Sequence, residues 1–136
     1  MSEAERRVAR ARGLVGVRFR PQGRDPSHGL DCVGLAAAAA GIAAERVRRD
    51  YALRGEPGEA LAEALLGLGC RPVEAGRARA GDLLVCDAGP GQLHLAVSTG
   101  RGIVHADARL RRVVERPGPA PWPVTGAWRP GEEGDD

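Results

Sequence analysis

The sequence predicts an α+β fold, with helices in the first half and an antiparallel sheet in the second. Two observations carry this. The stretches up to Leu68 that have helical spacing are rich in Ala, Leu, Glu and Arg, whereas after Gly81 the chain turns to short β-branched or leucine-rich runs divided by glycine turns. The order is also not alternating, as a βαβ chain would require, and no internal repeat is present.

"EAERRVARARG" (3–13) has the composition of a short helix that stops at Gly13. "LVGVRFRPQGRDPSHG" (14–29) carries Gly and Pro punctuation and reads as an irregular loop after a short extended piece. The best helix is Leu30 to Ala40, entered through Asp31 and closed at Gly41. A further one is Glu59 to Leu68, with Leu61, Leu65, Leu66 and Leu68 near helical spacing. Strands are expected at "DLLVCD" (82–87), "HLAVST" (94–99), "GIVHAD" (102–107) and "RRVVER" (111–116). A last one falls at Val124 to Trp128 inside a proline-rich wrap. The 136 residues fit one domain, 1–130, followed by an acidic tail, 131–136, expected to be disordered.

With 43% hydrophobic and 28% charged residues, the composition is that of a soluble globular protein. The net charge of +2 and the scattered arginines argue against nucleic-acid binding, which calls for a one-sided field and stacking aromatics, here only 3%. The arginine groups at Arg46, Arg48 and Arg49 and at Arg109, Arg111 and Arg112 read as solvated faces. The N-terminus has no apolar signal core, and no apolar run is long enough to span a membrane. Three cysteines, Cys32, Cys70 and Cys86, are an odd number without framework spacing, which points to free thiols made in a reducing cytoplasm.

Cys32 is where chemistry is expected. In the first turn of a helix, unpaired N–H groups and the macrodipole favour negative charge, so a thiol there is expected to have a depressed pKa. Small residues behind it, Gly34 and Ala36 to Ala40, are expected to let the helix back closely onto a sheet. A thiolate nucleophile needs a base and a group to orient that base. His94 and His105 lie on two strands joined by a tight turn. If Thr99 pairs with Gly102, His94 faces Asp107 and His105 faces Ala96. If Ser98 pairs with Arg101, the two histidines face each other. Either register puts both imidazoles on one face, within side-chain reach, and Ala96 on that face is expected to leave room for the thiol.

"GLDCVGL" (29–35), "AGDLLV" (80–85), "QLHLAV" (92–97) and "IVHAD" (103–107), in that order, resemble the NlpC-type cell-wall cysteine peptidases. "GRDP" (23–26) and "HADA" (105–108) are similar to the compact phage and gene-transfer-agent branch. The likeness runs from Gly16 to Trp128. It implies a papain-like fold and hydrolysis of amide bonds in peptidoglycan stem peptides, typically between D-glutamate and diaminopimelate. It also implies Cys32 as nucleophile, His94 as general base and His105 as the orienting residue, with no cofactor. The partners implied are the stem peptide and phage-tail or gene-transfer-agent particle proteins, with lysis or a particle delivering the protein to the wall.

Phe19 stands where many relatives carry a tyrosine near the thiol, and is expected to wall the cleft. His28 is expected at the rim as a substrate contact, and Asp31 beside the nucleophile as a source of helix N-terminal charge and of substrate contacts. Asp107 competes with His105 for the third position. Cys70 and Cys86 read as packing residues. A zinc site at Cys32, His94 and His105 is the chemical rival, but the close paired spacing of structural zinc sites is missing. The functional rivals are a thioester acyltransferase on the same fold and a non-catalytic tail or wall-binding component.

Overall fold

A computed structural model describes residues 1–47 and 58–131. Helix α1 (Glu3–Gly13) starts in a capping box: Ser2 Oγ accepts the Glu5 N–H, and the Glu5 carboxylate accepts the Ser2 N–H. A two-stranded ribbon, β1 (Arg24–Asp25) with β2 (Gly29–Leu30), then leads into α2 (Cys32–Ala40). Next come α3 (Gly58–Gly67), β3 (Arg71–Val73), β4 (Leu83–Gly89), β5 (Gln92–Ser98), β6 (Gly102–Asp107), β7 (Arg112–Pro117) and β8 (Val124–Arg129). Short 3₁₀ turns occupy Ala44–Arg46 and Ala75–Arg77.

The main sheet is antiparallel, in the order β3-β8-β4-β5-β6-β7. The fold is α+β, and the strands expected after Gly81 are present within one or two residues. Three short strands were not anticipated: β1 and β2 inside the expected loop, and β3 ahead of the sheet proper. Pairing across space, rather than any local pattern, makes strands of such short pieces. The predicted second helix also starts two residues late, because Leu30 is the last residue of β2 and Asp31 is the cap. Arg48, Arg49 and the tail from Glu132 onward lie outside the described residues.

Helix α2 is apolar nearly all round, and every residue but Ala38 is buried. It lies between α1 and the strands β5 and β6. Its small side chains allow this, although Gly34 has a narrower job than expected. A Cβ there would collide with the backbone carbonyl of Gly23, so the missing side chain admits the ribbon loop rather than the sheet. Strand alternation divides the sheet into two apolar clusters. Leu83, Val85, Leu95, Val97, Val104, Ala106 and Val113 face α2 and share its core. Leu84, Cys86, Ala96, Ile103 and Ala127 form a second cluster, closed by Trp122 and Val124. At the far end of the sheet, the Asp82 carboxylate accepts two 2.9 Å hydrogen bonds from Arg129 and ties β4 to β8.

Candidate active site

The α2 N-terminus is held by one carboxylate. Asp31 Oδ1 accepts the Gly34 N–H at 2.9 Å and the Arg24 guanidinium at 2.7 Å, and Oδ2 accepts the Gln22 N–H at 2.9 Å. This is an N-cap fused to a buried ion pair, with the Arg24 side chain only 4% exposed. Both Asp31 oxygens are thereby committed to the fold.

Cys32 follows as the first helical residue, 6% exposed, its side chain in the α2-side core. The backbone N–H groups of Leu95 and of Cys32 itself lie near its sulfur. The expected low pKa is not found. Burial pushes the Cys32 thiol up to about 12, with the Asp31 charge adding to the rise. The two N–H groups and Arg24 pull the other way without offsetting it. Cys32 does lie in the first turn of the helix, but desolvation outweighs the dipole because the thiol is packed among apolar side chains.

The histidines come together on the other side of β5. The Gly100–Arg101 turn closes with the Thr99 N–H donating to the Gly102 carbonyl at 2.9 Å, and Gly100 takes φ +87°, as a two-residue hairpin of this hand requires. The register is Val97↔Val104 and Ser98↔Ile103, the first of the two alternatives. The paired positions of β5 and β6 end there, and His94 and His105 lie beyond them. His94 Nε2 and His105 Nδ1 are 3.2 Å apart, with the rings nearly perpendicular at 88°. Asp107, the competitor, instead accepts the Arg109 and Leu110 N–H groups at the β6–β7 turn.

Ala96 does not make room for the thiol. It is fully buried among Leu84, Cys86, Ile103 and Ala127, whereas the sulfur belongs to the opposite cluster. Cys32 meets the strand at Leu95, one residue after His94, and among the described residues no hydrogen bond joins Cys32 to either imidazole. His94 is driven down to about 4, first by burial and then by the neighbouring His105, against weaker attraction from Asp107 and Asp31. His105 is lowered as well, mainly by burial. Burial thus favours the neutral form of the thiol and of both imidazoles.

Trp122 completes the imidazole face, and sequence reasoning missed it. Its ring meets His94 edge-on at 4.8 Å and His105 at 5.2 Å between centroids. The flanking Pro121 and Pro123 were read only as wrapping, but the Pro123 carbonyl accepts the Asp87 N–H and docks this segment beside β4. An aromatic fixed between two prolines was the available signal.

Of the other expected residues, Phe19 is partly buried against the α2-side core and bridges to Leu30. His28 is exposed, its Nδ1 3.2 Å from Asp25 Oδ2. Cys70 is buried in the α2-side core. Cys86 is fully buried and pairs across strands with His94, its thiol pushed up to about 11 by burial. Among the described residues, no cluster of three or more His, Cys, Asp and Glu side chains is arranged to hold a metal, and no helix is long and apolar enough to cross a membrane.

No protein-family model and no curated protein matches this chain significantly. Solved structures do. The NlpC/p60 domain of the peptidoglycan hydrolase SagA is 27% identical, over 84% of this chain and 88% of that one, with a TM-score of 0.55. The peptidoglycan hydrolase RipB of Mycobacterium tuberculosis is 22% identical, over 96% and 66%, with a TM-score of 0.62. RipD of the same organism, a non-catalytic NlpC/p60 domain protein adapted to peptidoglycan binding, is 20% identical, over 95% and 97%, with a TM-score of 0.57.

Proposed function

Taking as premise that this chain is an NlpC/p60-type domain, we propose that it is a cysteine peptidase that hydrolyses amide bonds in peptidoglycan stem peptides. The observation that carries the reading is the His94 Nε2 to His105 Nδ1 contact at 3.2 Å, formed beside the strand position where the Cys32 sulfur sits. Only one tautomer of this pair makes a base. His94 Nε2–H donates to His105 Nδ1, which leaves the His94 Nδ1 lone pair for the thiol proton.

Because thiol and imidazole both rest neutral, the proton moves to His94 as sulfur attacks the carbonyl, rather than from a standing ion pair. This step requires the Cys32 sulfur, which meets β5 at Leu95, to come within proton-transfer reach of His94 when the substrate binds. The carbonyl oxygen, now negative, takes the Cys32 N–H at the start of α2. The His94 imidazolium then protonates the leaving amine, and a thioester remains on Cys32. Water, giving its proton to His94, releases the acid and restores the thiol. His105 keeps the His94 ring in one orientation throughout.

The scissile bond in this reading is the one between D-glutamate and diaminopimelate. Its particle association, with a phage tail or gene-transfer agent, is supported by the likeness at residues 23–35 and 105–108. A second reading has one observation in its favour. The sealed, protonated thiol without a bond to His94 also suits a peptidoglycan-binding domain that does no chemistry. Incubating purified peptidoglycan with the wild type and with Cys32→Ala, and reading products by mass spectrometry, separates the two. Hydrolysis expects muropeptide fragments from the wild type alone; intact peptidoglycan in both, with the protein bound to it, overturns it.

A further inference from the structure

The arginines around β7 were expected to be a solvated face, but the strand register gives some of them a direction. His105 pairs with Val114, so Arg112 and Arg116, each two residues from Val114, share the face of His105. Arg116 is near enough for its charge to be felt by the His105 ring. Arg18 bridges directly to Arg112 across the strand edge, held by the bond from the Phe19 N–H to the Arg111 carbonyl at 2.9 Å. Arg20 lies two residues further on, and its Cβ is close enough to Gly29 to leave no space for a side chain there. A row of four guanidinium-bearing residues thus starts beside His105 and ends over the loop that delivers Cys32.

Several arginines outside the row are matched to carboxylates: Arg6 and Arg10 to Glu3, Arg12 to Glu115, Arg24 to Asp31, Arg77 to Glu74 and Arg129 to Asp82. Arg18, Arg20, Arg112 and Arg116 have no ion-pair partner among the described residues. The acid within the row is Asp107, opposite Arg112, and one of its oxygens is occupied by the Arg109 and Leu110 N–H groups.

We propose that this row binds the carboxylates of an extended anionic peptide, so that the site selects stem peptides whose carboxyl groups are free over those in which they are amidated. Arg112 and Arg116 stand four residues apart on one strand, a span of roughly 13 Å, which fits successive carboxylates of an extended ligand rather than one anion. Guanidinium forks match carboxylates in pairs of hydrogen bonds, and an amide in the same place loses both the charge and an acceptor. The inference rests on the peptidase reading and adds the substrate's charge to it.

The test uses a synthetic γ-D-glutamyl-diaminopimelate peptide and its fully amidated counterpart, with the wild type and the Arg112→Gln/Arg116→Gln variant. Binding of both peptides to Cys32→Ala is measured in parallel. The acidic peptide is expected to bind Cys32→Ala and to show a KM about tenfold below that of the amide in the wild type. The double variant brings the KM values of the two peptides together. Equal KM values in the wild type, or a preference surviving in the variant, overturn the row while leaving the peptidase intact. Failure to cut either peptide counts against the peptidase reading, and the binding arm then decides the row by itself. Tighter binding of a polyphosphate than of the acidic peptide overturns the peptide as its ligand.

Discussion

The N-terminus of α2 and the imidazole face of the sheet are built by opposite means. At the helix start, Asp31 gathers Gln22, Arg24 and Gly34, all within nine residues of it, into one short-range motif. The imidazole face needs β5, β6 and the proline segment ahead of β8, brought together only when the sheet forms. The comparison teaches that local chemistry places the Cys32 thiol, whereas long-range register brings the two imidazoles together. Burial then acts alike on both, favouring the neutral thiol and the neutral imidazoles.

In the proposed reaction, the hardest blow to the pairing of these regions is removal of the Cys32 thiol or the His94 imidazole. Cys32→Ala is expected to cut peptide hydrolysis by roughly 10⁴-fold or more, and His94→Ala by about 10²–10⁴-fold, in a discontinuous assay with purified peptidoglycan. A residual rate in Cys32→Ala equal to the wild type's would mean that the helix start has no chemical role.

Stability distinguishes the two regions next. Asp31→Ala removes the cap and the carboxylate bound by the Arg24 guanidinium, at an expected cost of about 2 kcal/mol in urea unfolding. Asp31→Asn keeps the cap and costs less. Gly34→Ala, which drives a methyl into the Gly23 carbonyl, is expected to cost about 1–3 kcal/mol. Should neither substitution shift the urea midpoint, the compact motif around the helix start is not what holds it.

The pH response sharpens the contrast. His94 is protonated near 6.5 when unfolded and near 4 when folded. The unfolded chain therefore takes up more protons in that window, and stability present above pH 6.5 is lost as pH falls toward 4. The helix start works in the other direction. Cys32 ionises near 9.0 unfolded but about 12 folded, so stability declines as pH rises from 9 toward 12. Urea midpoints measured across both windows check the signs. The smallest expected effect is that of Trp122→Ala, which admits water to the imidazoles. It should move the His94 titration upward toward 6.5 in NMR spectra, with the acid limb of activity following it. An unmoved titration would show that other side chains keep the pair dry.

Much of the fold could be read from residue patterns. The helix ends at Gly13 and Gly41, the Asp31 entrance and the tight turn at Gly100–Arg101 each follow from local conformational preference. Parity of the hairpin put His94 and His105 on one face in either register, although which register forms could not be chosen from the turn alone. β1, β2 and β3 escaped detection because two- and three-residue strands exist only by virtue of their partners. Trp122 escaped because nothing local says which side chains an aromatic in a proline loop will meet. The protonation state of Cys32 was misjudged for the same reason: the dipole is a property of the helix, but desolvation is a property of everything packed against it.

By itself, then, the sequence determined the helix that presents Cys32, the carboxylate that caps it and the shared face of the two histidines, since each depends on neighbours along the chain or on strand parity. Only the tertiary structure decided that the thiol is sealed on the α2 side, that Trp122 walls the imidazoles and that the β7 arginines line up beside His105. Burial, ring contacts and cross-strand alignment arise between segments that meet only after the chain has closed on itself.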